Sequence, residues 1–500
     1  MCTVVEFFED SEVFITGGSG VVGKALIEKL LRSTRVRRIY VLLRPKKQFT
    51  AEQRLKRLRQ ATIFHVLAKE RPQELDKLVA VPGDVSHPGL GIQPEWLARM
   101  RGVSVVYHCA ATVRFDEPLR VALRLNVGGT LEALKFAEKL PKLRIFVHVS
   151  TFYSNPYLKR VEPKYYSSPM DWKLCLRLLD EVPDDNLLDA LTRKLIVGFP
   201  NTYTFTKNLA ESLVNDHRHR LPLIVYRPSI VLFAVDDPSP GFSPSLMGAM
   251  GLFALVGAGI LKTVYLGRDI RLDITPQDMG IKSMLCYTQK GADLYQQEDA
   301  PKELPVYMSS SCTHVSHTFT RVAEQMDELD LWGDAAFEKN LMIPGCHYTD
   351  RRWLYLFLVF TKQILPALMV DGLLKLFGQK PVLMGIVRKA YQTLEVMQPF
   401  MFNNYESPGV TEKETLTKEN EGTEFHLDAF SHPDIDSLVV QVSRDMVHSI
   451  RTHLLHEDPR TLKRSQRILK IKVILYQALR LFLLYKILRW LWGSYFKAFF

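Results

Sequence analysis

The sequence predicts an α/β fold: a doubly wound parallel sheet of the Rossmann type, followed by a helical C-terminal domain and a membrane-associated tail. Three observations carry this reading. Short β-branched runs alternate with amphipathic stretches from about Val13 to about Ile230. A glycine-rich turn joins the first run directly to a helical pattern. Beyond Asp458 there is no acidic residue, while ten Lys and Arg accumulate among Leu, Ile, Phe, Tyr and Trp.

The runs VFIT, IYVLL, LVAVPGD, VSVVYHCA, IFVHVS and LIVYRPSIV read as buried strands. Segments such as GKALIEKLLRS and LEALKFAEKL read as the helices between them. This alternation is that of an open parallel sheet, which takes ligands beyond the carboxyl ends of its strands. Five hundred residues exceed one ordinary core, which predicts a large domain plus a smaller one. The expected boundaries are 10–325 for the sheet domain, 350–460 for the helical domain and 465–500 for the tail.

The net charge of +11 would suit nucleic acid, but its concentration in an apolar, aromatic tail points to membrane lipid instead. No nucleic-acid partner is expected. The six cysteines form no Cys-x-x-Cys pair and the N-terminus lacks a secretory pattern. A reducing compartment follows, with neither disulfides nor a metal site.

The glycines Gly17, Gly20 and Gly23 stand at Gly-x-x-Gly-x-x-Gly spacing between the first strand and a helix. Lacking Cβ atoms, the first two let the backbone approach a pyrophosphate and the third lets helix and sheet pack closely. The helix N-terminus then offers free N–H groups to the anion. The second strand ends in Arg44-Pro45-Lys46-Lys47, where an NAD enzyme usually carries an acid. A basic end suits a 2′-phosphate and hence NADPH. A solvated basic loop is the plainer alternative. Asp84 is placed to meet the adenine amine, or else to cap a turn. The full expected cofactor set is Thr16, Gly17, Gly20, Val21, Val22, Gly23, Arg44, Lys47, Asp84, Ala110, Tyr203 and Lys207.

Tyr203 and Lys207 lie four residues apart, on one helix face. An ammonium beside a phenol is expected to lower its pKa and tune proton transfer. Ser150-Thr151 end the strand IFVHVS and put hydroxyls at the same edge of the sheet. Thr151, Tyr203 and Lys207 are therefore the candidate catalytic residues. Cys109, at the end of a strand, needs no role beyond packing.

The segments ITGGSGVVGKALIEKLLRS, LLRPKK, HCAATVRFDEPL, NVGGTLEAL, VHVSTFYSN, YTFTKNLAE and YRPSIV resemble an extended short-chain dehydrogenase/reductase. They are most similar to the eukaryotic, insect-like fatty acyl-CoA reductases. LPALMVDGLLKLFGQKP and IRTHLLHEDP resemble the helical C-terminal domain of that family. The resemblance implies NADPH-dependent reduction of a long-chain fatty acyl-CoA to a primary alcohol through an aldehyde, with release of CoA. It implies that Thr151 holds the substrate carbonyl with Ser150 beside it. Tyr203 would donate the proton, Lys207 bind the nicotinamide ribose, and Asn126 support the active-site water and backbone, with a helix cap or turn as the equal alternative for Asn126. A membrane-bound hydroxysteroid dehydrogenase and a non-catalytic NADP-binding scaffold at a lipid membrane are the alternatives.

Leu246 to Leu261, rich in Gly and Met, reads as a loop or helix near the substrate entrance or as buried packing. Asn403 to Thr423 is polar and reads as an exposed loop or flexible insert. The tail is expected to lie in the membrane interface or as a shallow hairpin, with a single full span or a packing helix as competitors. The expected location is the endoplasmic reticulum membrane with the catalytic domain facing the cytosol; a peroxisomal membrane is the alternative. No terminal Ser-Lys-Leu is present.

Overall fold

A computed structural model describes residues 3–46, 48–243, 245–271, 273–297, 301–311, 317–407, 410–427, 432 and 434–499. Seven parallel strands form the main sheet: β1 (Glu12–Thr16), β2 (Arg38–Leu43), β3 (Leu78–Pro82), β4 (Val103–His108), β5 (Ile145–Val149), β6 (Leu223–Pro228) and β7 (Val306–Ser309). Their order is β3-β2-β1-β4-β5-β6-β7. The chain builds outward in both directions from β1 and β4, so the crevice for a ligand opens between those two strands.

Alternate residues of each strand feed opposite faces. Val13, Ile15, Ile39 and Val41 pack with Leu26, Ile27 and Leu30 of the Val21–Ser33 helix and with Met279 and Met284 of the Gln277–Gln296 helix. Phe14, Tyr40, Val106 and Phe146 pack on the other face. There they meet Ala133 and Leu134 of the Gly129–Ala137 helix and Leu209 and Leu213 of the Thr202–Asp216 helix. The predicted α/β class and its six strands are present, and β7 is an addition the sequence reading did not contain.

The chain divides into two compact units that are discontinuous in sequence, unlike the contiguous 10–325 and 350–460 expected. The first holds Met1–Pro244, Ile270–Thr318 and Phe402–Leu438; the second holds Ser245–Asp269, Phe319–Met401 and Val439–Phe500. The stretch Leu246–Leu261 therefore belongs to the second unit. There it forms the helix Ala249–Gly257, on which Gly257 lets Phe337 and Trp332 pack against the backbone.

The polar stretch Asn403 to Thr423 is not an exposed loop. Glu406 pairs with Arg160 as a β-bridge, Val410–Glu419 is helical, and Leu416 is fully buried in the first core. Just beyond it, Glu424 reaches Lys29 at 3.2 Å. The reason is local: a few apolar residues suffice to anchor a segment whose remaining side chains face water. In the second unit Leu462–Phe499 is one continuous 38-residue helix, not a hairpin. Ile474, Tyr476, Leu481, Phe482 and Trp490 are all more than half exposed, so this part does not serve as a packing helix.

Candidate active site

β1 runs into Gly17, whose φ of +72° is left-handed. A Cβ there would lie 2.6 Å from the Ala110 nitrogen and 2.7 Å from the Cys109 carbonyl carbon. Only glycine brings this turn so close to the end of β4. At Gly23 a Cβ would strike the Gly17 carbonyl and lie 2.6 Å from Gly18 Cα, which joins helix and turn tightly. Gly20 is the N-cap of Val21–Ser33 and provides no side-chain cap. The first N–H groups of that helix, beginning at Val21, Val22 and Gly23, are thus left to an anion. The turn fits a dinucleotide pyrophosphate.

Beside it, at the end of β2, Arg44 and Arg54 form a basic patch. The Arg54 guanidinium donates to the Arg44 carbonyl at 2.6 Å and to the Ser19 hydroxyl at 3.5 Å. Burial and the neighbouring Arg44 charge lower the Arg54 pKa. Arg54 was not among the expected residues. The signal for it was the capping box Thr50-x-x-Gln53, which starts the helix that folds Arg54 back over Arg44. Lys47 lies outside the described residues. Asp84 takes the turn-capping reading: it accepts from the Ser86 N–H and hydroxyl at 3.0 and 2.9 Å. Its other oxygen is 3.7 Å from Arg44.

Thr16 is buried, and its hydroxyl oxygen accepts the Ala110 N–H at 3.2 Å. The same oxygen stands 2.9 Å from His108 Nδ1, and His108 Nε2 is 3.1 Å from the Thr130 hydroxyl. Thr130 in turn donates to the Asn126 carbonyl at 2.6 Å. Asn126 lies in a π-helical turn, Leu123–Gly128. Its side chain accepts from the Thr112 N–H at 2.8 Å and donates to the Thr206 hydroxyl at 2.9 Å. Asn126 thus clamps the segment after β4 to the helix that carries Tyr203 and Lys207. His108, Thr130 and Thr206 were missed by sequence reasoning because each is unremarkable until the fold joins them.

Thr151 is buried directly after β5, and its hydroxyl lies beside the Tyr203 phenol. Phe115 stacks on the Tyr203 ring at 5.7 Å. Burial pushes the phenol up to about 12, and the nearby Thr151 hydroxyl opposes this. One turn later the Lys207 ammonium donates to the Val149 carbonyl at 2.6 Å. Burial lowers Lys207 to about 8, against Glu211 and Cys109, which raise it. The expected lowering of the phenol by Lys207 is therefore absent: desolvation dominates Tyr203, and the ammonium is engaged by a backbone carbonyl. Ser150 is close by but separately employed. Its hydroxyl donates to Glu211, which is held by two bonds from the fully buried Arg227. Burial drives the Cys109 thiol up to about 12, so it stays protonated and packs.

A glycine cradle at the switch point of a parallel sheet, with Thr151, Tyr203 and Lys207 at its mouth, defines an NAD(P)-dependent reductase of the extended short-chain type. Residues 15–284 match the family model described as "Male sterility protein", an NAD-binding domain. The chain is 32% identical to "Fatty acyl-CoA reductase wat" of Drosophila melanogaster over 99% of its length and 93% of that protein. It is 32% identical to "Fatty acyl-CoA reductase 1" of Xenopus laevis, covering 81% of this chain and 78% of that one. The chain belongs to the fatty acyl-CoA reductase family. Among solved structures, the terminal R domain from the myxalamid PKS-NRPS biosynthetic pathway shares the fold. Its TM-score is 0.58 at 18% identity, over 88% of this chain and 91% of that one.

Proposed function

We propose that this chain uses NADPH to reduce a long-chain fatty acyl-CoA to the primary fatty alcohol through the aldehyde, releasing CoA, at a membrane surface. The observation that carries this reading is the Thr151 hydroxyl beside the Tyr203 phenol with Lys207 one turn away, next to the cradle of Gly17 and Gly23. The family supports the acyl-CoA substrate, and the basic pair Arg44 and Arg54 beside Ser19 supports the 2′-phosphate of NADPH.

When bound, the dinucleotide supplies hydride, and reaching the alcohol takes two equivalents. Thr151 and Tyr203 present two hydroxyls to the carbonyl oxygen, stabilising the charge that develops there. Tyr203 keeps its proton until that charge forms, because burial holds the phenol high, and then delivers it. Lys207, fixed by the Val149 carbonyl, is placed for the ribose contact. Gly17, Gly20, Val21, Val22 and Gly23 would hold the pyrophosphate, and Thr16 with Ala110 sets the floor between β1 and β4.

The Leu462–Phe499 helix is proposed as the membrane anchor, on its exposed apolar and basic side chains. The endoplasmic reticulum membrane, with catalysis on the cytosolic side, is the proposed location, and a peroxisomal membrane is the alternative. The test is NADPH oxidation with long-chain acyl-CoA, followed by product identification, in the native chain and in Tyr203→Phe. Alcohol formed by the native chain and abolished in the variant supports the reading. Normal alcohol formation by Tyr203→Phe overturns the mechanism. Turnover on sterols alone points to a hydroxysteroid dehydrogenase, and no turnover to a scaffold. Alkaline carbonate extraction of the full chain, with truncation near Arg464, tests the anchor: a fully soluble full-length chain overturns it.

A further inference from the structure

The helix Arg352–Leu376 of the second unit buries two polar side chains and turns a row of large apolar ones outward. Gln363 is buried, and its side-chain oxygen accepts the backbone N–H groups of Lys262 and Thr263 at 2.7 and 3.1 Å. Asp371 is buried too, and its carboxylate accepts the N–H groups of Val382, Leu383 and Met384 at 2.9, 3.0 and 2.9 Å. Those bonds cap the start of the next helix, Leu383–Met401. The opposite side carries Trp353, Phe357, Phe360, Leu368, Met369 and Leu376, which are 50 to 78% exposed.

A wide π-helical turn, Phe360–Ile364, keeps this side continuous. A regular helix advances about 100° per residue, so Met369 and Leu376 would stand roughly 150° around from Trp353. The one residue absorbed by the wide turn sets the register back by about 100°. Both then return to the face of Trp353 and Phe357, while Gln363 and Asp371 remain inward.

The charges along this stretch of the sequence are almost all of one sign. Between residues 351 and 389 there are seven Lys and Arg, all exposed, and the single acid is Asp371. The stretch Arg352–Leu376 is, by length and composition, long and apolar enough to cross a membrane. Crossing a bilayer would carry Gln363 and Asp371 into hydrocarbon together with the backbone they satisfy. An apolar ridge rimmed by cations and tied down by polar anchors instead suits the interface of an anionic leaflet.

We propose that Arg352–Leu376 lies in the plane of an anionic phospholipid leaflet and seats the second unit on the membrane without crossing it. This extends the membrane reading offered for the tail but stands on separate residues. The test uses the full chain, reconstituted in phosphatidylcholine vesicles with and without phosphatidylserine. The vesicles contain lipids that carry a photoreactive group either near the glycerol or at the end of an acyl chain. Mass spectrometry of the cross-linked peptides reads this helix and the tail independently.

The expected result is labelling of the Trp353–Leu376 peptides by the shallow probe alone, stronger with phosphatidylserine. In Phe357→Ser with Leu368→Ser this labelling should fall about tenfold or more, while the tail labels as before. Labelling by both probes would overturn the proposal in favour of a span. No labelling of this helix while the tail is labelled would overturn it and leave the tail reading intact. No labelling of either would overturn both, and protection that depends on protein concentration would assign the face to a second copy.

Discussion

Lys207 offers a direct test of the catalytic arrangement through pH. Its pKa is lowered by burial from the ordinary 10.5 to about 8. The working form is the ammonium, so the sign is fixed: activity is present below about pH 8 and declines as pH rises through that value. At about pH 9 a group of pKa near 8 keeps roughly one-eleventh of its charge, so kcat/KM for NADPH should fall about tenfold from its plateau. A lysine at its ordinary value would still be almost fully protonated there. Tyr203 and Cys109, both pushed up to about 12, keep their protons across the window and leave the limb to Lys207. Because kcat/KM for the dinucleotide reports groups ionising in the enzyme free of it, the ligand-free geometry is the relevant one. Lys207→Arg keeps its charge at every accessible pH. It should lose the limb while lowering the plateau, since a guanidinium fork does not reproduce the 2.6 Å bond to Val149. A flat native profile to about pH 10, or the same limb in the arginine variant, would refute the assignment.

Gly17→Ala forces a side chain into φ +72° and against the Ala110 nitrogen. NADPH affinity should fall at least about a hundredfold by fluorescence titration. Replacing Arg44 and Arg54 by Ala should weaken NADPH by about tenfold per charge and leave NADH almost unchanged, as steady-state kinetics with both dinucleotides would reveal. His148→Leu probes a buried imidazole whose ring nitrogens have no hydrogen-bond partner among the described residues. Burial holds its pKa well below 6.5, so the unfolded chain takes up a proton that the folded chain refuses. Native stability is therefore lost as pH falls below 6.5. Between about pH 7.5 and about pH 5.5 the variant should gain about 1.4 kcal/mol relative to the native chain. Urea denaturation at the two values checks this, and equal pH dependence in the two proteins would refute it.

The first six strands and the glycine turn were legible because buried parallel strands are continuous β-branched runs and a phosphate turn demands glycine at set spacing. Val306–Ser309 was not, since four residues beside a serine run carry too little period to mark a strand. Thr151, Tyr203 and Lys207 were recognisable as residue types at a sheet edge. The employment of Ser150 by Glu211 and Arg227 was not, because that pair closes only when β6 lies beside β5. Leu416 is buried in a segment whose composition reads as loop, and a single anchor there leaves no pattern. The discontinuity of the two units is a property of chain crossings, which composition does not record.

The line of groups that joins cofactor and catalytic helix is polar yet uncharged, and the hydrogen bonds explain how. Thr130 spends its proton on the Asn126 carbonyl, so it can only accept from His108, and His108 Nε2 must carry the imidazole proton. Nδ1 is then an acceptor, and the Thr16 hydroxyl donates to it while its oxygen receives the Ala110 N–H. A doubly protonated ring would face Thr16 with a second donor and break the sequence of bonds. Burial and the Lys207 charge enforce the neutral ring by lowering His108 to about 3, and they lower the stacked His148 as well. The line from Thr16 through His108, Thr130 and Asn126 to Thr206 thus fixes the glycine turn relative to Tyr203 without adding charge. Lys207 stands charged beside that line, and its depressed pKa is the consequence of burial, which outweighs the opposing Glu211 charge.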